Sequence, residues 1–182
     1  MKLNIANQIT LLRIFLIPIF MFFLLVDPIG AGGYIAVSVF IVASITDAID
    51  GYLARKRGLV TNFGKFADPL ADKLLIAAAL VALIDLQQIS AWPVIIILAR
   101  EFAITGLRVL AAAQGTVIAA SNLGKYKTNA QIFAIIFLVL SRATTAVPEV
   151  IGQILLWIAV ALTVISGADY MINSREVITD ED

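Results

Sequence analysis

Apolar residues run along this chain in six blocks, separated by short polar or turn-forming stretches. Long unbroken apolar runs suit helices that cross a bilayer, and no period-two alternation suggests a barrel. The pattern predicts spans over residues 10–26, 33–55, 64–86, 91–115, 128–140 and 148–171. Asp27-Pro28-Ile29-Gly30 reads as a turn, Gln87-Gln88 and Ser90 as a short exit, and Ser141 to Thr145 as another turn. Residues 115–127 read as a loop with a short helix. Residues 1–8 form a short amphipathic segment expected to lie at the interface. Arg13 sits low in the first span, where its long stem could snorkel. The fold expected is all-α: a polytopic membrane protein with six transmembrane helices and a short N-terminal interfacial helix. No internal repeat is visible, so residues 1–182 are expected to form one membrane domain.

The first apolar block has a rival reading as a signal peptide, since Lys2 precedes it and small residues follow. Asn7-Gln8-Ile9-Thr10 and Arg13 make a poor start to such a segment, and no good cleavage site follows.

Composition supports the membrane reading. Of 182 residues, 61% are hydrophobic and 14% charged, and the mean hydropathy is +0.99. A soluble domain of this size would not carry so much apolar surface. The chain has no Cys and no His. Disulfides, thiol nucleophiles, imidazole bases and zinc sites built from those ligands are therefore excluded, and acid–base chemistry falls to carboxylate, Lys or Tyr. The formal net charge is zero and no basic tract exists to bind nucleic acid.

The placement of Lys and Arg sets an orientation. With six spans and an inside N-terminus, the inside segments hold Lys2, Arg55, Lys56, Arg57, Lys65, Lys125, Lys127 and Arg175, and the outside turns hold Arg142 alone. That bias places both termini in the cytoplasm.

Against this apolar background four carboxylates stand out: Asp47, Asp50, Asp68 and Asp72. An ionised side chain at the bilayer centre costs about 3 kcal/mol or more, so four together need a reason. Asp47 and Asp50 are i, i+3 on a helix and Asp68 and Asp72 are i, i+4, so each pair shares a face. Gly51 and Ala54 lie on the Asp47 stripe and leave room for a ligand or a second helix. Residues 55–63 can join two antiparallel helices, bringing all four carboxylates towards one point at the cytoplasmic surface. A carboxylate-only cluster suits a hard cation such as Mg or Mn. Two such ions, roughly 3.5–4 Å apart, can clamp the attacking and leaving oxygens of a phosphoryl displacement. Arg55 could pair with phosphate oxygens, and Arg108, Lys125 and Lys127 could hold a second anion. The picture is a lipid-borne phosphate meeting a soluble phosphate-bearing partner. The blander readings are a helix–helix polar contact for either Asp pair and positive-inside charges for Lys125 and Lys127. Arg100 and Glu101 point about 100° apart on a helix and are expected to need separate partners, with Glu101 in an ion pair to another span. Asp169 is expected to pair with a basic residue. Lys73 reads as a simple balance to the acidic cluster, and Trp92 and Trp157 as interfacial or lipid-facing anchors.

The stretch Asp47-x2-Asp50-Gly51-x2-Ala54-Arg55-x8-Gly64-x3-Asp68-x3-Asp72 resembles the motif of the CDP-alcohol phosphatidyltransferase family at every fixed position. Asn7 to Arg13, Ala99-Arg100-Glu101-Phe102 with Gly106-Leu107-Arg108, and Gly124 to Thr128 resemble its bacterial branch that makes phosphatidylglycerophosphate. The resemblance implies transfer of a phosphatidyl group from CDP-diacylglycerol to sn-glycerol 3-phosphate, with CMP released, in phospholipid biosynthesis. It implies that Asp47, Asp50, Asp68 and Asp72 hold two divalent cations, Mg or Mn, and that Asp72 is the general base. It implies that Asn7, Thr10, Gly51, Ala54, Arg55, Thr61 and Gly64 admit or contact the CDP-lipid. Arg108, Lys125 and Lys127 would hold the acceptor phosphate. Family members are homodimers of six-span chains, which implies a homodimer in the bacterial inner membrane with a cytoplasmic active site. Two alternatives stay open. One is another acceptor within the family: inositol phosphate, phosphatidylglycerol or serine. The other is a divalent-cation transporter, which would set its carboxylates near the midplane and show repeat symmetry.

Overall fold

The computed structural model describes residues 5–27, 30–57, 62–115 and 121–173, with side chains left aside at 5–7, 47–57, 62–69 and 173. Among the described residues there are six helices and no strand: α1 Ile5–Leu25, α2 Gly32–Arg57, α3 Asn62–Asp85, α4 Ala91–Ala113, α5 Asn122–Ala143 and α6 Glu149–Asn173. The six blocks of the hydropathy pattern are thus six helices. Among the described residues, two of them contain stretches long and apolar enough to cross a membrane, Gln8–Leu25 and Glu149–Ile172, and Gly32–Thr46 is a shorter apolar helical stretch.

Helix ends follow local chemistry. Asp27 adopts a positive φ of 42°, and its Oδ1 accepts a hydrogen bond from Gly32 N–H at 2.6 Å. The carboxylate therefore satisfies an open donor in the first turn of α2. Ser121 caps α5 from an extended backbone, its Oγ accepting from Gly124 N–H at 3.1 Å. The α3–α4 turn is tied to the far side of the bundle. Gln88 Nε2 donates to Leu138 O at 3.1 Å, and Gln88 O accepts from Gln153 Nε2.

α1 packs against α2 and α3, α5 against α6, α2 and α3, and α4 against α3 and α6. Phe20, Phe40, Leu80, Ile97, Leu138 and Leu156 are sealed in one apolar core, with the Phe20 and Phe40 rings 5.6 Å apart. Close approach is bought with small residues. A Cβ on Gly33 would lie 2.8 Å from Ala143 Cβ, and one on Gly152 would lie 2.6 Å from Leu138 Cγ.

Three expectations change. Residues 5–8 run into α1 without a break, so no separate interfacial helix exists among the described residues; the rest of that segment, 1–4, lies outside them. Arg13 does not snorkel: it is completely buried on the inward face of α1 with Thr10, one turn before it. Helix α5 begins at Asn122, six residues before the predicted span. Lys125 and Lys127 therefore belong to the first turns of this long helix, where a loop with a short helix of its own is expected from the sequence.

Candidate active site

The backbone puts Asp47, Asp50, Gly51, Ala54 and Arg55 in the second half of α2, and Gly64, Asp68 and Asp72 in the first half of α3. α2 and α3 are consecutive helices in contact, so the two Asp pairs occupy the ends of the helices nearest their connection. That agrees with the hairpin expected from the spacing. The side chains of Asn7, Asp47, Asp50, Gly51, Ala54, Arg55, Gly64 and Asp68 lie outside the described residues, as does Thr61 altogether. Thr10 is described and buried on α1. Of the acidic motif, the Asp72 side chain is described and half-buried.

Asp72 opens into a cavity of about 420 Å³ formed by α3, α4, α5 and α6. Its lining contains five cationic side chains, Lys73, Arg100, Arg108, Lys125 and Lys127, against two acidic ones, Asp72 and Glu101. The three residues expected to hold an acceptor phosphate thus meet in one place, beside the last carboxylate of the acidic motif. Ser121, Gly124 and Thr128 add the N-terminal turns of α5 to the wall, where the positive end of the helix dipole also favours an anion.

Glu101 is the internal counter-ion. Its carboxylate is in direct contact with Lys127 Nζ, an ion pair between α4 and α5 that matches the expectation for Glu101. Arg100 departs from expectation. Its Nη1 lies 3.7 Å from the same Glu101 oxygen, Oε1, so the two chain neighbours contact each other despite their angular offset, and Arg100 and Lys127 share Glu101. The flexible guanidinium stem bends back far enough to do this. The Arg100 guanidinium also stands over the Tyr170 ring, 5.4 Å from its centroid. Its Nε and Nη2 are buried with no hydrogen-bond partner among the described residues. Buried charged donors without acceptors are costly, and Arg100 is one of the residues that line the cavity. Arg100 is therefore a site residue to which the sequence reading assigned no role. Lys73, read as a balance to Asp72, lines the same cavity.

Lys127 is 4% exposed and precedes the span expected over 128–140. Burial, and after it the Arg100 charge, lower its pKa to about 8, with Asp72 opposing and Lys73 adding to the effect. The Glu101 contact favours the charged form against that burial.

The donor set fits a hard divalent cation. The four motif aspartates offer only carboxylate oxygens, they sit on two contacting helices, and the one described side chain reaches a cavity where an anionic substrate can approach. Asp72 is the point at which the acidic motif and the basic cavity meet.

The chain is similar to known proteins over most of its length. The family model for CDP-alcohol phosphatidyltransferase matches residues 3–165. A CDP-diacylglycerol–glycerol-3-phosphate 3-phosphatidyltransferase of Bacillus subtilis is 46% identical over 187 residues, covering 96% of this chain and 97% of the relative. Relatives of the same name are 39% identical in Rickettsia felis, covering 92% of this chain and 93% of the relative, and 42% identical in Haemophilus influenzae, covering 94% and 93%. The family match runs through both Asp pairs and the α3, α4 and α5 walls of the basic cavity, and the chain belongs to the CDP-alcohol phosphatidyltransferase family.

Proposed function

We propose that the protein transfers the phosphatidyl group of CDP-diacylglycerol to sn-glycerol 3-phosphate, releasing CMP. The observation that carries this reading is the cavity in which five cations surround an opening onto Asp72. A phosphate dianion there would meet Arg108, Lys125 and Lys127, and also the unpartnered Arg100 nitrogens. An acceptor without a phosphate, such as zwitterionic serine with no net charge, would leave most of this positive charge uncompensated. The relatives' names, which specify glycerol 3-phosphate, point the same way.

In the proposed reaction the phosphate of the acceptor is held by the basic wall, which fixes the distance of its primary hydroxyl from Asp72. The Asp72 carboxylate takes the hydroxyl proton. The hydroxyl oxygen forms a bond to the lipid-side phosphorus as the bond from that phosphorus to the CMP oxygen breaks. Two Mg or Mn ions held by Asp47, Asp50, Asp68 and Asp72 would supply charge neutralisation to the diphosphate. Asn7, Thr10, Gly51, Ala54, Arg55, Thr61 and Gly64 are proposed to receive the CDP-lipid. Without Cys or His, direct in-line transfer with inversion at phosphorus is the natural course.

The setting proposed is a single six-span domain over residues 1–182, in the inner membrane of a bacterium, dimeric, with both termini and the site on the cytoplasmic side. Large apolar side chains exposed on several helices, among them Phe15, Val42, Val81, Phe102, Phe133 and Trp157, support contact with lipid. The test is CMP release by purified protein in CDP-diacylglycerol micelles with each divalent cation and each acceptor in turn. Release with sn-glycerol 3-phosphate is expected. Preference for inositol phosphate, phosphatidylglycerol or serine would move the protein to another acceptor. Metal uptake into proteoliposomes without CMP release would favour the transporter.

A further inference from the structure

Tyr170 lies on α6, beyond the residues matched by the family model, and it touches two walls of the basic cavity. Its hydroxyl accepts a hydrogen bond from Ser121 N–H at 3.0 Å, at the cap of the helix that carries Lys125 and Lys127. Its ring supports the Arg100 guanidinium of α4. The phenol is 7% exposed, so both contacts are made away from bulk water. One turn earlier Gly167 leaves the space that Arg100 occupies, since a Cβ there would stand 3.0 Å from Arg100 Cγ.

These contacts have different physical characters. The hydrogen bond fixes where α5 starts, and with it the height of both lysines in the cavity. The ring face attracts the cation without consuming any guanidinium donor, so Arg100 is held while its Nε and Nη2 stay without a hydrogen-bond partner among the described residues. A carboxylate in the same position would hold Arg100 more strongly but would compete with an incoming anion.

We infer that Tyr170 is a positioning residue for the acceptor phosphate, setting α5 through its hydroxyl and Arg100 through its ring, in a role that rests on the proposed acceptor reading of this cavity. The test compares wild type, Tyr170→Phe, Tyr170→Leu and Gly167→Ala in CDP-diacylglycerol micelles, measuring CMP release against each substrate. Tyr170→Phe keeps the ring and leaves the Ser121 N–H unpaired. It should raise the KM for sn-glycerol 3-phosphate about 5- to 10-fold, with kcat at saturating acceptor and the KM for the CDP-lipid within twofold of wild type. Tyr170→Leu removes both contacts and should raise the acceptor KM further. Gly167→Ala, which keeps the phenol and displaces Arg100, should shift the same constant and serves if the Tyr170 variants do not fold. An unchanged acceptor KM in both Tyr170→Phe and Gly167→Ala overturns the inference. So does an equal loss for both substrates, which would mark a structural role only. If wild type itself releases no CMP with sn-glycerol 3-phosphate, the proposed function has failed, and that result is separable from a failure confined to the variants.

Discussion

Asp72 and Arg100 carry different kinds of chemistry, although both face the same cavity. In the proposed mechanism Asp72 accepts the proton, so Asp72→Asn should lower kcat by at least about 100-fold, the usual scale of general-base catalysis, while CDP-lipid binding persists. Unchanged turnover in a CMP-release assay would remove that assignment. In the same proposal Arg100 acts in binding, since its buried Nε and Nη2 have no hydrogen-bond partner among the described residues. Arg100→Ala should raise the acceptor KM by roughly 10- to 100-fold, as expected for a lost hydrogen bond to a charged group, and this is read from steady-state kinetics. Lys127 gives a pH dependence. An ammonium binds an anion only while protonated, so affinity is kept below its pKa of about 8 and lost as pH rises through it. A phosphate monoester gains its second charge above about pH 6. The kcat/KM for the acceptor should therefore fall on an alkaline limb near 8, and Lys127→Arg should move that limb upward, because a guanidinium stays charged.

At the scale of the element, α5 is the informative helix. The polar run Ser121-Asn122 with Gly124 and two lysines reads as a loop, because Gly and Asn are weak helix formers and Ser favours caps and turns. The structure starts the helix there because Ser121 supplies the cap for Gly124 N–H and Tyr170 anchors Ser121 from α6. Neither the cap nor the anchor, nearly fifty residues away, was read from the sequence. Ser121→Ala should reduce stability by about 1 kcal/mol, seen as a lower Tm, and should raise the acceptor KM as well. The other side of α5 separates packing from function. Gly152→Ala on α6 would drive a Cβ into Leu138 and cost about 1–3 kcal/mol by overpacking. Its Tm should fall while the acceptor KM stays that of wild type, because neither Gly152 nor Leu138 lines the cavity.

For the whole molecule, the proposed topology puts the site and both termini on the basic-rich side. The absence of native Cys makes this directly testable in intact cells. A single cysteine at Thr145→Cys, in the α5–α6 connection, should react with a membrane-impermeant maleimide from outside. Lys56→Cys, at the end of α2, should react only after permeabilisation. The reverse pattern would invert the orientation. The charges of the cavity also explain why hydropathy singles out α1 and α6 most strongly. α3 and α4 carry the site's Asp, Lys, Arg and Glu within their apolar blocks, and α5 carries its lysines at the start, which dilutes each window.

The sequence by itself determined the helical class, the order of the six helices and the pairing of the aspartates on α2 and α3. These depend on periodicity and spacing within one or two neighbouring segments. It also supplied Arg108, Lys125 and Lys127 as candidates. Only the tertiary structure decided that these three share a cavity with Asp72, that Arg13 is buried, and that Arg100 belongs to the site with Tyr170 beneath it. The reason is that each of these facts depends on which helix packs beside which. The contacts that settle it, such as Arg100 with Tyr170 or Gln88 with Leu138, join residues far apart in the chain and leave no local pattern.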